Sequence, residues 1–340
     1  MQQEADDDGD ILFSAISNNV RALWQLLRCI NFTKKARVYI SNDGISFSVE
    51  ETSVMDASVL LTKELFSTYR FNPPPQEEPE GGHDEANGSR SMTDTLPFEI
   101  SLPALLETLQ LFGITELSST RSGRDFGSAP PAGPSAFDPR AIGMPCICRL
   151  SYTHVGAPLQ IILTEGSVTT TCELTTYEPT SESSIPFDSA DVALKVLVRS
   201  SVLYDAVNEL AGTSSEKLLI TASPRAPRLS LTAPGALGSA LVEFTGEGES
   251  AENLLETFNL PYGVRITNEY KFDLIRKALR AMAMANKVSV RFDGQGVLSL
   301  QFLVEVDNAA GGKVTFVQFR FVPYLRENDS EEERPDYGED

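Results

Sequence analysis

Five cations fall into two clusters with helical spacing, and their chemistry suits contact with phosphate groups. Arg21 and Arg28 lie on the polar side of a stretch whose Val20, Leu23, Trp24, Leu27 and Ile30 recur on the other side. Arg276, Lys277 and Arg280 lie in a second stretch, with Phe272, Ile275 and Leu279 as its apolar positions. Guanidinium and ammonium groups in such rows make salt-sensitive, sequence-independent contacts to a phosphate backbone. The same pattern arises when cations merely solvate the polar side of an amphipathic helix, and the residues alone do not separate the two.

Catalytic constellations are sparse. There are two histidines, His83 in a Pro- and acid-rich stretch and His154 at a turn, which leaves little room for His-based chemistry. Cys29, Cys146, Cys148 and Cys172 contain no CxxC pair. Cys146-Ile-Cys148 lacks the second ligand pair that zinc requires. The four read as reduced thiols of an intracellular protein. No GxxxxGK[ST] or GxGxxG stands between a strand and a helix. Acids could build a two-metal nuclease site, but most lie in tails where no fold fixes their geometry. The expectation is a protein without catalysis, metal or cofactor.

The 340 residues carry a formal charge of −20, and its location matters more than its size. Residues 1–10 hold five acids and no base, and residues 327–340 hold eight acids against Arg334. Residues 73–97 and 118–145 are rich in Pro, Gly, Ser and charge. These four segments are expected to be disordered, and without them the chain is nearly neutral. No run of about 18 apolar residues suggests a membrane span, and the acidic start MQQEADDDGD is unlike a leader peptide.

The elements that must position the cations follow from periodicity. Residues 11–32 read as a helix with Asn18 or Asn19 as its N-cap. Residues 37–50 read as a hairpin around Asn42-Asp43-Gly44, and 58–71 as strand with a short turn. After the first insertion, 101–112 is a second helix with Leu102, Leu105, Leu106, Leu109 and Phe112 inward. Strands return over 147–174, turning at His154-Val155-Gly156 and Glu165-Gly166. Residues 175–188 lack periodicity. Beyond them come a strand (192–198), a helix (199–211), strands at 217–222, 228–231 and 239–244, a helix (270–286) and a three-strand meander to Leu325.

Each half therefore reads helix, strands, helix, strands. Helix 20–30 leads to Arg37-Val-Tyr-Ile-Ser, as helix 199–210 leads to Lys217-Leu-Leu-Ile-Thr, and Phe98-Glu-Ile-Ser-Leu answers Tyr270-Lys-Phe-Asp-Leu. The expected fold class is α+β: two repeated domains, 11–174 and 191–326, each with two helices packed on antiparallel sheet, joined by a connector at 175–190.

This repeated plan resembles the sliding clamps of the proliferating cell nuclear antigen type. Ile40-Ser-Asn-Asp-Gly-Ile-Ser-Phe resembles the clamp hairpin, Thr68-Tyr-Arg the clamp's T-Y-R strand, and Pro323 the proline that closes the clamp body before an acidic tail. Val288-Ser-Val-Arg-Phe, Gly296-Val-Leu-Ser-Leu-Gln-Phe, and the run from Ile161 to Cys172 before Tyr177-Glu-Pro are similar to the Rad-one branch of the checkpoint clamps, whose ring is called 9-1-1.

The resemblance implies a nuclear, non-catalytic subunit of a heterotrimeric ring that encircles duplex DNA. Its partners would be Rad-nine-like and Hus-one-like subunits, a clamp-loader ATPase, and checkpoint signalling and repair proteins. Arg21, Arg28, Arg276, Lys277 and Arg280 would face the channel, Lys277 and Arg280 turned outward into solvent. Subunits would join through edge strands containing Ser167, Thr169, Thr171 and Leu174, and Ala240, Leu241, Val242 and Phe244. A proline at Val242 would remove a donor from the second edge. Partner peptides would meet the connector near Glu50, Tyr177, Glu178, Pro179, Arg320 and Pro323. Glu50 falls where such clamps carry a methionine and Arg320 where they carry a tyrosine. A buried, unpaired carboxylate is costly, so this pocket is expected to be altered. A homotrimeric replication clamp and a metal-dependent exonuclease are the alternatives.

Overall fold

The computed structural model describes residues 11–73, 96–111, 146–179, 184–236, 238–244, 255–306 and 312–325. The first half runs β1 (Phe13–Ser17), α1 (Val20–Cys29), β2 (Lys35–Ser41), β3 (Gly44–Glu51), β4 (Met55–Thr62), β5 (Thr68–Phe71), β6 (Leu96–Ser101), α2 (Leu102–Gln110), β7 (Ile147–Tyr152), β8 (Leu159–Glu165) and β9 (Val168–Leu174). The second runs β10 (Val192–Arg199), α3 (Ser200–Leu210), β11 (Lys217–Ala222), β12 (Leu229–Gly235), β13 (Gly238–Phe244), β14 (Leu255–Asn259), β15 (Ile266–Lys271), α4 (Phe272–Arg276), α5 (Leu279–Met284), β16 (Lys287–Asp293), β17 (Leu298–Val306) and β18 (Lys313–Phe321).

The sheets make the repeat explicit. The first half contributes a five-stranded sheet in the order β5-β1-β7-β8-β9 and the strands β4-β3-β2-β6. The second contributes β14-β10-β16-β17-β18 and a four-stranded sheet β13-β12-β11-β15, which is the same pair of orders. The halves are joined because β18 pairs antiparallel with β4, fusing two sheets into one of nine strands. Every strand pairing is antiparallel, and the helices pack on the sheets, as the α+β clamp fold requires. Buried residues alternate along the strands, as in Ala36, Val38 and Ile40 of β2 or Val288, Val290 and Phe292 of β16. Phe32 of the first half meets Phe319 of the second with ring centroids 6.3 Å apart, so the core continues across the joint.

Four expectations are corrected. The helix expected over 11–32 begins at Val20. Residues 13–17 are instead a strand held between β5 and β7, and the Asn19 side chain accepts the Ala22 N–H at 3.0 Å to start the helix. The helix expected over 270–286 is two short helices preceded by strand. Tyr270 is fully buried at the end of β15, opposite Leu218, and its hydroxyl donates to the Gly296 carbonyl at 2.6 Å. Phe98 lies three residues before the end of β6 and Tyr270 one before the end of β15, so the halves agree in element order but not in the residue register drawn from those two. The insertion expected over 73–97 ends earlier, because Leu96 and Pro97 pair with Ile40 and Tyr39; proline is tolerated there because β6 is an edge strand. Strand β14 went unforeseen. The tails 1–10 and 327–340, His83, Phe112 and nearly all of both insertions lie outside the described residues. Among the described residues no helix is long and apolar enough to cross a membrane.

Candidate functional site

The two stretches expected to be edges are the outermost strands of their sheets, β9 of the five-stranded sheet and β13 of the four-stranded one. Ser167 lies in the turn before β9 rather than in the strand. Register decides which groups point away from the sheet. Glu165 opposes Val168 across a two-residue turn, and Gly235 opposes Gly238 in the same way. Such closing pairs exchange both hydrogen bonds, and hydrogen-bonded pairs then alternate with open ones. Thr169, Thr171 and Glu173 on β9, and Ser239, Leu241 and Glu243 on β13, therefore hold their N–H and C=O groups outward.

Two contacts agree with this phase. The Pro234 carbonyl, in the open pair with Ser239, accepts a hydrogen bond from the Ser215 hydroxyl at 2.5 Å, on the side away from β13. The hydroxyls of Thr164 and Thr169, an open pair, approach to 3.3 Å. Val242 opposes Leu231 in a hydrogen-bonded pair, so its N–H serves the internal ladder. A proline there would break the sheet rather than the edge, which corrects the residue expected to carry the outward donor. Thr169, Thr171 and Leu241 are exposed, Ala240, Val242 and Leu174 half-buried, and Phe244 belongs to the core.

Helices from both halves bring part of the cation set together. The Arg28 guanidinium lies 4.8 Å from the centre of the Trp24 ring, and Arg280 donates to the Arg28 carbonyl at 3.4 Å, across the joint between the halves. That contact places a cation at the carboxyl end of α1, where the helix dipole is negative. Between them the Cys29 thiol is pushed up to about 12 by burial, although Arg280 and Arg28 pull the other way. Arg21, Arg276 and Arg280 are exposed, and Arg276 lies 3.3 Å from the Asp273 carboxylate.

The outward, solvated position expected of Lys277 gives way to a half-buried one. Its ammonium pairs with Glu51 of the first half and lies 5.4 Å from the centre of the Phe32 ring. Leu279 is likewise half-buried, while Leu274, Ala278 and Met282 fill the core beside Phe272 and Ile275. The break after Arg276 re-aims this stretch, and a continuous helix assumed from periodicity mis-set the rotation of its residues.

Two sets of contacts latch the connector to the body beside Glu99 and Asp56. Tyr177 and Glu99 exchange backbone hydrogen bonds of 2.8 Å, and the Lys35 ammonium lies 4.4 Å from the Tyr177 ring centre and 3.4 Å from the Glu99 carboxylate. Further on, the buried Ile185 donates its N–H to Asp56 at 2.8 Å and accepts from Arg320 at 2.7 Å. Arg320 also donates to the Ser184 hydroxyl at 3.0 Å and stands 3.9 Å from Asp56, its opposite residue across the β18–β4 joint. Burial pushes the Asp56 carboxyl up, against the opposing pull of the Ile185 N–H and Arg320. Asp56 is a residue the sequence reading missed, because its partners are remote in the chain.

Beside this latch lies a cavity of about 560 Å³ lined by Lys34, Arg37, Glu50, Asp56, Glu99 and Arg320. Glu50 is half-buried and accepts from the Ser53 hydroxyl at 3.0 Å, so its carboxylate is neither fully buried nor unpaired. Glu178 is exposed, and Pro179 and Pro323 are half-buried. Just past Pro323, Tyr324 donates its N–H to Glu269 at 2.8 Å. Among the described residues, no group of three His, Cys, Asp or Glu side chains could hold a metal ion.

Comparison with known proteins adds a family. The model of the family described as "Repair protein Rad1/Rec1/Rad17" matches residues 12–304. The chain is 28% identical over 322 residues to the "Cell cycle checkpoint protein RAD1" of Homo sapiens, covering 95% of each chain. It is 29% identical over 326 residues to the "DNA damage checkpoint control protein rad1" of Schizosaccharomyces pombe, covering 94% of this chain and 89% of that one. It is 24% identical over 180 residues to the "DNA repair exonuclease REC1" of Mycosarcoma maydis, covering 46% of this chain and 39% of that one.

Proposed function

The chain belongs to the Rad1/Rec1/Rad17 repair protein family, and from that premise we propose that it is a non-catalytic subunit of a heterotrimeric DNA clamp acting in the DNA-damage checkpoint and in repair. The checkpoint names of its human and fission-yeast relatives support the pathway. One observation carries the assembly. Within the chain, the last strand of one five-stranded unit pairs with the first strand of a four-stranded unit at the β18–β4 joint. Strands β9 and β13 hold the same two positions in their own units and, among the described residues, have no such neighbour. Repeating the joint between chains uses the outward groups of Thr169, Thr171, Leu241 and Glu243 as intermolecular ladder donors and acceptors. Three subunits joined this way close a ring, whose helices would face duplex DNA with Arg21, Arg28, Arg276 and Arg280.

The partners are two other clamp subunits, Rad-nine-like and Hus-one-like, a clamp-loader ATPase, and checkpoint and repair proteins. The compartment is the nucleus, and the connector pocket takes partner peptides of polar character. Co-expression with the two other clamp subunits of its own cell should yield one complex of equal stoichiometry by native mass measurement. A stable homotrimer of this chain alone would replace the reading with a replication clamp. The exonuclease name of one relative makes a nuclease assay the matching control. The carboxylates of Asp293 and Asp188 are taken up by backbone: Asp293 accepts from Val297 at 2.8 Å and Gln295 at 3.0 Å, and Asp188 from Ala190 at 2.8 Å. That supports a non-catalytic role. Metal-dependent cleavage of labelled DNA that follows the purified chain through every fraction would overturn it.

A further inference from the structure

A groove of about 550 Å³ crosses β14, β10, β16, β17 and β18 on the sheet face opposite the buried Val196, Val198, Val288, Val290 and Phe302. Its residues belong to neither β9 nor β13, and it shares no lining residue with the connector pocket. The floor is apolar: Leu197 and Leu303 are half-buried, and Phe316 is 40% exposed. Above it, Lys195 and Arg291 stand directly opposite each other in the β10–β16 register. Like charges so placed repel.

Among the described residues neither cation has an acidic partner, in a chain with 48 acids. Arg291 donates to the Ser299 hydroxyl at 3.1 Å and lies 5.2 Å from the centre of the Phe187 ring. Its Nε is buried without a hydrogen-bond partner, and so is the Ser289 hydroxyl on the same face. Lys287, also in the lining, is already paired with Glu256 at 2.8 Å. Along one side runs β14, an outermost strand with Thr257 and Asn259 exposed to the groove.

We propose that this groove binds an extended acidic segment of a partner protein, with carboxylates on Lys195 and Arg291 and one apolar side chain on the Leu197–Leu303–Phe316 floor. The β14 edge gives such a segment backbone to pair with, and an anion placed between two like cations relieves their repulsion. A nucleic acid fits less well. Single strands are held by a basic track and a series of stacking rings, whereas this site offers two adjacent cations, an aliphatic floor and one exposed ring.

The test uses the full-length chain and a fluorescein-labelled Glu-Asp-Glu-Leu-Asp-Glu-Asp peptide, followed by anisotropy. The peptide should bind, and the version with lysine for every acid should not. Lys195→Glu, at an exposed site, should weaken binding about tenfold, and Thr257→Trp, which fills the groove from its rim, should weaken it at least as much. Both variants should melt as the wild type does. No binding, or binding that neither variant alters, overturns the proposal. Preferential displacement of the probe by a single-stranded oligonucleotide overturns it in favour of nucleic acid. Tighter probe binding after deletion of residues 327–340, with a synthetic 327–340 peptide competing, overturns it in favour of the chain's own acidic tail.

Discussion

Leu241→Pro and Val242→Pro differ by one residue and should fail in opposite ways. The Val242 N–H faces Leu231, which is 1% exposed, so proline there leaves a buried carbonyl without its donor. An orphaned buried acceptor costs about 1–3 kcal/mol, and the pyrrolidine ring adds strain inside the ladder. Leu241 is 55% exposed and its N–H points away from the sheet. Proline is tolerated where an edge strand turns its N–H outward, so the isolated chain should lose about 0.5 kcal/mol or less.

In the assembled ring the order reverses. Leu241→Pro removes a ladder donor between chains and strands the neighbour's acceptor, at about 1–3 kcal/mol, which is roughly a 5- to 150-fold loss of affinity. The effect should fall on the neighbour that meets β13, while the neighbour at β9 binds as before. Denaturant unfolding of the isolated chain and titration against each clamp subunit measure the two halves of this prediction. If Leu241→Pro unfolds the chain more than Val242→Pro does, the register argument is wrong. If it binds both neighbours normally, β13 is not an edge of the ring.

Three further outcomes are expected. Arg21→Glu with Arg280→Glu should leave folding and ring assembly intact and lower retention on gapped circular DNA, with a shallower dependence on salt; retention equal to wild type across a salt series would remove these helices from the channel. Glu51→Gln and Lys277→Met, each about a third exposed, should show a coupling of about 0.2–1 kcal/mol in a double-mutant cycle, and no coupling by denaturant titration would mean that the pair does not tie the halves. Asp56 has a raised folded-state pKa, so the folded chain takes up its proton more readily than the unfolded one. Its stability term is fully present below the unfolded value and lost as pH rises through the folded one. The unfolding free energy of wild type relative to Asp56→Asn should therefore shift in favour of wild type as pH falls from 7 toward 4, and a pH-independent difference would show that the carboxyl is not desolvated.

Much of the plan was legible from local pattern. Alternation at Val288, Val290 and Phe292, the Asp43-Gly44 turn and the leucines of α2 mark one buried face each, and that signal needs no distant partner. The edge positions of β9 and β13 followed from the resemblance to clamps rather than from the strands' own residues, and the sheet orders place both strands outermost. The acidity of the tails was separable from the rest because composition is local.

What stayed hidden depends on pairs of residues far apart in the chain. Residues 13–17 are a strand because β5 and β7 flank them, and their own apolar run suited a helix equally well. Lys277 looked solvated because Glu51 and Phe32 are brought to it by folding across the joint. The polar latch of Asp56, Ile185 and Arg320 exists only once β18 lies against β4. The outward phase of Leu241 against Val242 is a property of register, which a strand's own residues leave open by one position. Local free energies select elements and faces, and long-range pairing alone sets which donors, charges and pockets meet.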